Sequence, residues 1–380
     1  MDLSVIIVNY NTRYFLEQCL HSLNRAMNNI QAEIIIVDNH SLDGSLELIQ
    51  SRFPHLKFIP NAENLGYARA NNQALALAKG KHVLFLNPDT ILGEDCIRSS
   101  IRFAEVQQGV GAIGLRMIDG QGRFLPESKR GFPRPSAAFN KLFGLAKLFP
   151  SSSQFAAYYQ PGLNEKDINP IDVVSGAFMM VSRSLIERLG GFDERFFMYG
   201  EDIDLSYRIS REGLTNYYFG SQTMIHFKGE STLKDSKYVD QFYKAMEQFL
   251  EKHFRHQYAS VQFWLIRCGI RFRKLLAHIN IKDGLKKTHQ RPALNSVLIG
   301  DLSSQAKLIP KLSSLGRCRV DKISDADEII FCEGTEWSYS QIIGYMGDHP
   351  GEKHFRIYSE GSESIVGSDS KDLAGISIAW

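Results

Sequence analysis

Acidic residues set among aromatic ones, just ahead of a helical pattern, make Gly190-Gly191-Phe192-Asp193-Glu194-Arg195-Phe196-Phe197-Met198-Tyr199-Gly200-Glu201-Asp202-Ile203-Asp204-Leu205-Ser206-Tyr207-Arg208 the stretch where a reaction is most easily written. Gly200 stands directly before Glu201-Asp202, and glycine permits a tight turn and close approach of the backbone to a ligand. From Asp202 the pattern is helical, with Leu205 and Ile209 on one face and Asp204 ahead of Arg208 on another. Carboxylates at a helix start have free backbone N–H groups beside them. Held in that way, Asp202 is a candidate general base, with Glu201 as the second member of a catalytic pair. The competing reading is a plain helix cap, a common use of Asp.

Such a pair needs a scaffold. Leu3 to Val8 is a β-branched run that ends in Asn9-Tyr10-Asn11-Thr12, a buried strand followed by a loop. A helix is predicted over about 14–27, a second strand over 33–37 ending in Asp38-Asn39, and a helix over 45–53. After a short strand at 57–59, Asn64-Leu65-Gly66-Tyr67-Ala68-Arg69 leads into an Ala-rich helix over 70–78, with Gly80 as its stop. A fourth strand at 82–86 runs straight into Asn87-Pro88-Asp89-Thr90. Strand and helix alternating at this spacing predict an α/β fold, a mostly parallel sheet with helices on both faces. Ligands of such sheets bind beyond the carboxyl ends of the strands. Asn9 to Asn11, Asp38 and Asp89 all occupy such ends and are expected to converge, although each alone would pass for a turn or cap residue.

Six motifs then stand in one order: Ser4-Val5-Ile6-Ile7-Val8-Asn9-Tyr10-Asn11; Val37-Asp38-Asn39 with Ser41 and Asp43-Gly44; Asn64-Leu65-Gly66-Tyr67-Ala68 with Asn71-Asn72; Asn87-Pro88-Asp89; Ser175-Gly176-Ala177-Phe178; and the Gly-Phe-Asp to Asp-Ile-Asp-Leu stretch. Over roughly residues 1–235 the sequence resembles the inverting family 2 glycosyltransferases of GT-A fold, and more narrowly their rhamnosyltransferase-like branch. The resemblance implies transfer of a sugar from a nucleotide-sugar donor to an acceptor hydroxyl, with Asp202 as the base. It implies that Asp38 reads the nucleobase edge, that Asn9 and Tyr10 line the nucleoside site, and that Arg69 lies near the base or diphosphate. Gly176 and Ala177 would form a small-residue wall by the donor sugar, with close backbone approach as the reason for Gly176. Asp89 would be the anionic ligand of a Mg²⁺ or Mn²⁺ ion on the diphosphate, with His226 as a second ligand; His226 as a hydrogen-bonded structural residue is the alternative. Asn87 stands where the family often has an acid and brings no charge, though it can still accept from water or the ribose.

Three further segments carry expectations. Arg116 to Pro135, with Lys129-Arg130, reads as a basic loop over the acceptor side, suited to a lipid-linked pyrophosphate, or as an ordinary solvated loop. Residues 136–170 carry little signal and are expected to form a lid or acceptor insert. After a helix over 239–254, Val261, Trp264, Leu265, Cys268, Phe272, Leu275, Leu276 and Ile279 recur at helical spacing, with Arg267, Arg271, Lys274 and His278 on an adjoining face. That is a basic amphipathic helix suited to an anionic membrane surface, or one packed on the protein with its charges in solvent.

Strands near 297–300, 319–320, 328–332 and 354–358, with helices at 308–315 and 340–346, predict a small α/β accessory domain. It has no Gly-x-Gly-x-x-Gly fingerprint and so no assigned nucleotide. The expected division is a catalytic domain at 1–235, a helical segment at 236–291 and the accessory domain at 292–380.

Composition bounds these readings. The 380 residues have 43% apolar content and a formal charge of +2, which suits a globular protein and argues against a nucleic-acid partner drawn by bulk charge. Five cysteines without metal-type spacing read as free thiols. Asp2 stands where a signal peptide would be positive, and no run of about 20 apolar residues exists. A cytoplasmic protein, with peripheral contact on the inner face of the membrane, is expected. Two other classes stay open: a non-catalytic sugar-nucleotide-binding scaffold, and a nucleotidyltransferase.

Overall fold

β1 (Leu3–Asn9) is buried along its whole length, because both of its faces are covered. Leu3, Val5 and Ile7 pack into one apolar cluster, Ile6 and Val8 into another. The computed structural model describes residues 1–132, 159–228, 236–255, 260–281, 294–369 and 375–380. β1 lies parallel between β2 (Ala32–Asp38) and β4 (His82–Leu86), and β3 (Lys57–Pro60) runs parallel on the far side of β2. α1 (Arg13–Ala26), α2 (Ser45–Arg52) and α4 (Cys96–Val106) bury apolar faces on one side of the sheet. α3 (Tyr67–Leu75), α5 (Arg183–Arg188) and α6 (Glu201–Arg211) cover the other. Each such buried Leu or Ile is worth roughly 1.5–3 kcal/mol.

The full order is β3-β2-β1-β4-β8-β6-β9-β5, with β7 also paired to β9. Only its first four strands are all parallel. β8 (Phe178–Ser182) is antiparallel to β4 and to β6 (Val110–Ile118), and β9 (Thr215–His226) is antiparallel to β5 (Thr90–Leu92) and β7 (Ile168–Ile171). The expected α/β sheet with helices on both faces is present, and its second half is mixed. It is a GT-A-like sheet flanked by helices: β8 begins, just after Ala177, opposite the end of β4, and β9, parallel to β6, ends at His226 beside β5.

α3 starts three residues earlier than its alanines suggested. Gly66, at φ 82°, turns the chain so that the Tyr67 N–H donates to the Phe197 carbonyl at 2.7 Å, and a Cβ on Gly66 would sit 2.6 Å from that oxygen. The helix is over by Leu75; Gly80 instead lies against the Leu3–Ser4 backbone.

Residues 129 and 130, expected in a basic acceptor loop, are buried. The Lys129 ammonium donates to the Leu163 carbonyl, and the Arg130 carbonyl accepts from Val173 N–H at 3.0 Å. Pro133 to Pro135, and the insert expected at 136–170 as far as residue 158, lie outside the described residues; 168–171 form β7.

α7 (Ser236–Phe254) and α8 (Ser260–Ile281) form an antiparallel pair under α6. The basic residues of α8 do not make an unpaired cationic face. Arg267 meets Glu251 at 3.5 Å, Arg271 meets Glu247 at 3.1 Å, and Lys274 and His278 meet Asp240 at 2.7 and 3.1 Å, all on α7. Among the described residues of α8, Trp264, Phe272 and Leu275 are the exposed large apolar side chains. No described helix is long and apolar enough to cross a membrane.

A second sheet follows, in order β11-β10-β12-β13-β14-β15. β10 (Leu294–Gly300), β11 (Arg317–Arg319), β12 (Glu328–Cys332) and β13 (His354–Tyr358) are parallel; β14 (Ser364–Gly367) and β15 (Ile376–Ala379), which carry no strong sequence signal, are antiparallel. The helix expected at 308–315 is α9 (Leu302–Leu308), capped by Asp301, and Pro310 falls in the 3₁₀ turn beyond it. α10 (Tyr339–Asp348) has a Ser338–Gln341 capping box. Phe15, Ile91, Ile118 and Phe227 of the first half share one core with Phe331, Tyr339, Ile342 and Phe355 of the second. Across that junction the Gln18 amide of α1 donates to Ser362 Oγ at 2.9 Å and to the Ser364 carbonyl at 2.9 Å, and its carbonyl accepts from Ser359 Oγ at 2.5 Å.

Candidate active site

At the carboxyl ends of β1 and β2 the polar residues bind one another first. Asn9 Nδ2 donates to Asp38 Oδ1 at 2.8 Å and to Ser41 Oγ at 2.9 Å, while Asn9 Oδ1 accepts from Thr12 Oγ1 at 2.6 Å. Asp38 Oδ2 accepts from Ser41 N–H at 3.0 Å. The pair is thus fixed in place, with Tyr10 half-buried beside it. Asn39 carries the order onward, donating to Asn64 Oδ1 at 2.8 Å and so tying the end of β2 to the turn that starts α3. Arg69 lies exposed on α3. Asp43 bonds the Arg13 and Ser45 N–H groups and so holds its own loop, as the sequence suggested.

The β5–β9 register puts Thr90 opposite His226, which brings the end of β9 to the loop after β4. His226 Nε2 lies 3.3 Å from Asp89 Oδ1 and 3.4 Å from Asn87 Nδ2. Residues 137 positions apart in sequence are therefore adjacent. A carboxylate oxygen and an imidazole nitrogen at this separation could hold a Mn²⁺ or Mg²⁺ ion, with the remaining ligands left to phosphate and water. Among the described residues no cluster of three or more His, Cys, Asp or Glu gathers around them, so the protein's share of such a shell is small. The Cys19 thiol, near Thr90 at 3.4 Å, is pushed up to about 12 by burial and stays protonated.

Asp202 opens α6. Its Oδ2 accepts from Arg130 at 2.5 Å and from the Gly176 N–H at 3.1 Å; its Oδ1 accepts from its neighbour Ile203 N–H at 2.8 Å. The peptide on the other side of Gly176 accepts from the Tyr67 hydroxyl at 3.0 Å, and the next residue, Ala177, accepts from Asn87 N–H at 3.1 Å. Residues 175–177 therefore join Asp202, Tyr67 and Asn87. Burial holds the Tyr67 hydroxyl protonated, and the neighbouring acids push the same way. A Cβ on Gly176 would meet Asp202 and Tyr67 only at ordinary distances, 3.6 Å or more. Close approach to neighbouring protein atoms therefore does not account for this glycine.

Asp204, third in the acidic run, faces away. Arg208, Lys252 and His253 bind it at 2.8, 2.5 and 2.7 Å, an anchor for α7. The stretch ahead of α6 is stapled to α3: Asn72 accepts from Phe192 N–H and donates to its carbonyl, both at 2.9 Å. Arg130, Tyr67 and Asn72 are the residues that sequence reasoning did not place at this centre. Tyr67 and Asn72 sit inside a motif already singled out, whereas nothing local signals that Arg130 reaches a carboxylate 72 residues later.

Comparison with known proteins adds to this geometry. Residues 4–190 match the family model for Glycosyl transferase family 2. An N-acetylglucosaminyl-diphospho-decaprenol L-rhamnosyltransferase of Mycobacterium tuberculosis is 28% identical over 302 residues, covering 76% of this chain and 96% of that protein. A rhamnosyltransferase of Escherichia coli K12 is 27% identical over 238 residues, covering 59% of this chain and 82% of its own. Among solved structures, a mannosyltransferase from Pyrobaculum calidifontis in complex with GDP-Man and Mn²⁺ is 18% identical, with a TM-score of 0.47 over 74% of this chain and 72% of that one.

Proposed function

We propose, for a glycosyltransferase whose residues 4–190 belong to family 2, that it moves rhamnose from dTDP-rhamnose to a hydroxyl of a lipid-linked glycan in cell-wall or surface-polysaccharide synthesis. The relatives' names support the sugar and the lipid-linked acceptor. The observation that carries the reading is the segment 175–177, hydrogen-bonded on one side to Asn87 and on the other to Asp202. A donor sugar lying along it would have its diphosphate at Asn87 and Asp89 and its anomeric carbon within reach of an acceptor held by Asp202.

In this mechanism Asn9, Tyr10 and Asp38 hold the nucleoside, with Arg69 at the edge of that site. Asp89 and His226 would hold a divalent cation, which when bound neutralises charge on the leaving diphosphate. Gly176 and Ala177 leave room for the sugar. Asp202 takes the acceptor hydroxyl's proton as the bond to the anomeric carbon forms, with inversion. α8, through Trp264, Phe272 and Leu275, would rest on the inner face of the membrane that carries the acceptor.

The test is donor-dependent release of nucleoside diphosphate, screened over dTDP-, UDP- and GDP-sugars with Mn²⁺ and again after EDTA. A scaffold releases nothing, and a nucleotidyltransferase releases pyrophosphate; either result ends the proposal. Full transfer by metal-free protein would remove Asp89 and His226 as ligands.

A further inference from the structure

The transfer scheme above leaves Glu201 without a task. The residue is only 7% exposed, and its Oε2 has no hydrogen-bond partner among the described residues. A buried carboxylate in that position is costly unless a cation meets it. The nearest cation, Arg130, is already bound to Asp202 Oδ2. Asp202 itself is a like charge next in the chain, and from α3 the facing group is the Tyr67 hydroxyl, which brings no positive charge. Arg208 and Lys252 bind Asp204 instead, as does the His253 ring. Burial, then the Asp202 charge, push the Glu201 carboxyl up to about 8, against its own and the Gly200 N–H groups and the field of Arg130. A proton held there makes an O–H donor, and no described protein atom accepts from it.

We propose that Glu201 acts as a neutral carboxylic acid whose O–H donates a hydrogen bond to an oxygen of the bound sugar, while Arg130-paired Asp202 is the carboxylate that takes the acceptor proton. The two adjacent acids thereby have opposite tasks, set by which of them the guanidinium reaches. This rests on the glycosyl-transfer reading, and Glu201 takes part in no covalent step.

The sign of the pH dependence follows. A raised carboxyl is protonated below its midpoint and charged above it. Transfer by the wild-type chain should therefore fall as pH rises through about 8, as the donor is lost and a second negative charge enters the site. Glu201→Gln keeps an N–H donor and cannot ionise; it should retain most of its transfer at pH 7 and lose the alkaline fall. Glu201→Ala should be roughly ten-fold slower throughout, the scale of one lost hydrogen bond. A wild-type profile with no alkaline fall, an unchanged fall in Glu201→Gln, or an inactive Glu201→Gln beside a wild-type rate that climbs through pH 8 would each overturn the proposal.

A second measurement needs no substrate. The full chain, labelled with ¹³C at glutamate carboxyls, gives the Glu201 titration directly, with its signal assigned by its absence in Glu201→Gln. A midpoint in the ordinary carboxylate range overturns the inference whatever the activity. A raised midpoint in a chain inert toward every donor would instead overturn the transfer reading, and with it the sugar as ligand.

Discussion

Asp202→Asn tests the proposed base directly, and its cost can be worked from the contacts. The carboxylate serves three donors: Arg130 and the Gly176 N–H on one oxygen, Ile203 N–H on the other. An amide has one oxygen. Turned toward Arg130 and Gly176, it leaves its NH₂ against the Ile203 N–H and removes the counter-charge of a largely buried guanidinium. That should cost about 1–3 kcal/mol of stability and lower the melting temperature by roughly 2–10 °C. Loss of a positioned general base should lower transfer by about 10²- to 10⁴-fold, about 3–5.5 kcal/mol on the barrier. The two effects separate if transfer is measured well below the melting point. Asn87, Asp89 and His226 make no described hydrogen bond to Asp202, so nucleoside diphosphate affinity should hold. The assay is single-turnover transfer, calorimetric nucleotide affinity and melting temperature on one preparation. Near-wild-type transfer would refute the assignment; so would a loss of nucleotide affinity as large as the loss of transfer, because the defect would then be one of binding.

Gly66→Ala should lower the melting temperature and transfer together: a side chain at φ 82° would meet the Phe197 carbonyl at 2.6 Å, costing roughly 2 kcal/mol, and an unchanged melting curve would show that the α3–Phe197 contact is dispensable. Replacing Trp264, Phe272 and Leu275 by serine should weaken co-sedimentation with anionic vesicles by roughly a hundred-fold, since each apolar side chain contributes about 1 kcal/mol or more when buried; unchanged binding would exclude α8 as the contact. Charge reversal of Arg267, Arg271 and Lys274 is a poorer probe, because it sets Glu against Glu251, Glu247 and Asp240 and disturbs the helix pair itself.

The strands that build the crevice were legible because a strand buried on both faces must be continuously apolar, and Leu3 to Val8 and Glu33 to Val37 are nearly so. Their polar ends were legible for the same reason, since a buried run stops where a side chain has work to do. The pairing of Asp89 with His226 follows once β9 is set beside β5, but strand order in the mixed half has no local signal; β8 and β9 look alike whichever way they run. α8 was misjudged in charge because the acids that meet its basic residues lie on another helix. Its apolar and basic faces were read correctly as a pattern, and the pattern does not say which face meets protein. β14 and β15 are too short and too polar in context to stand out.

The seam through Gln18 has a meaning for descent. One amide is shared among Ser359, Ser362 and Ser364, and a side chain at Gly122 would run into the Met346 carbonyl. A C-terminal sheet lacking those serines would strand the amide in a closed junction, so change at position 18 is expected to go with change at the serines. A lineage that carries this sheet should be recognisable by joint change at these positions.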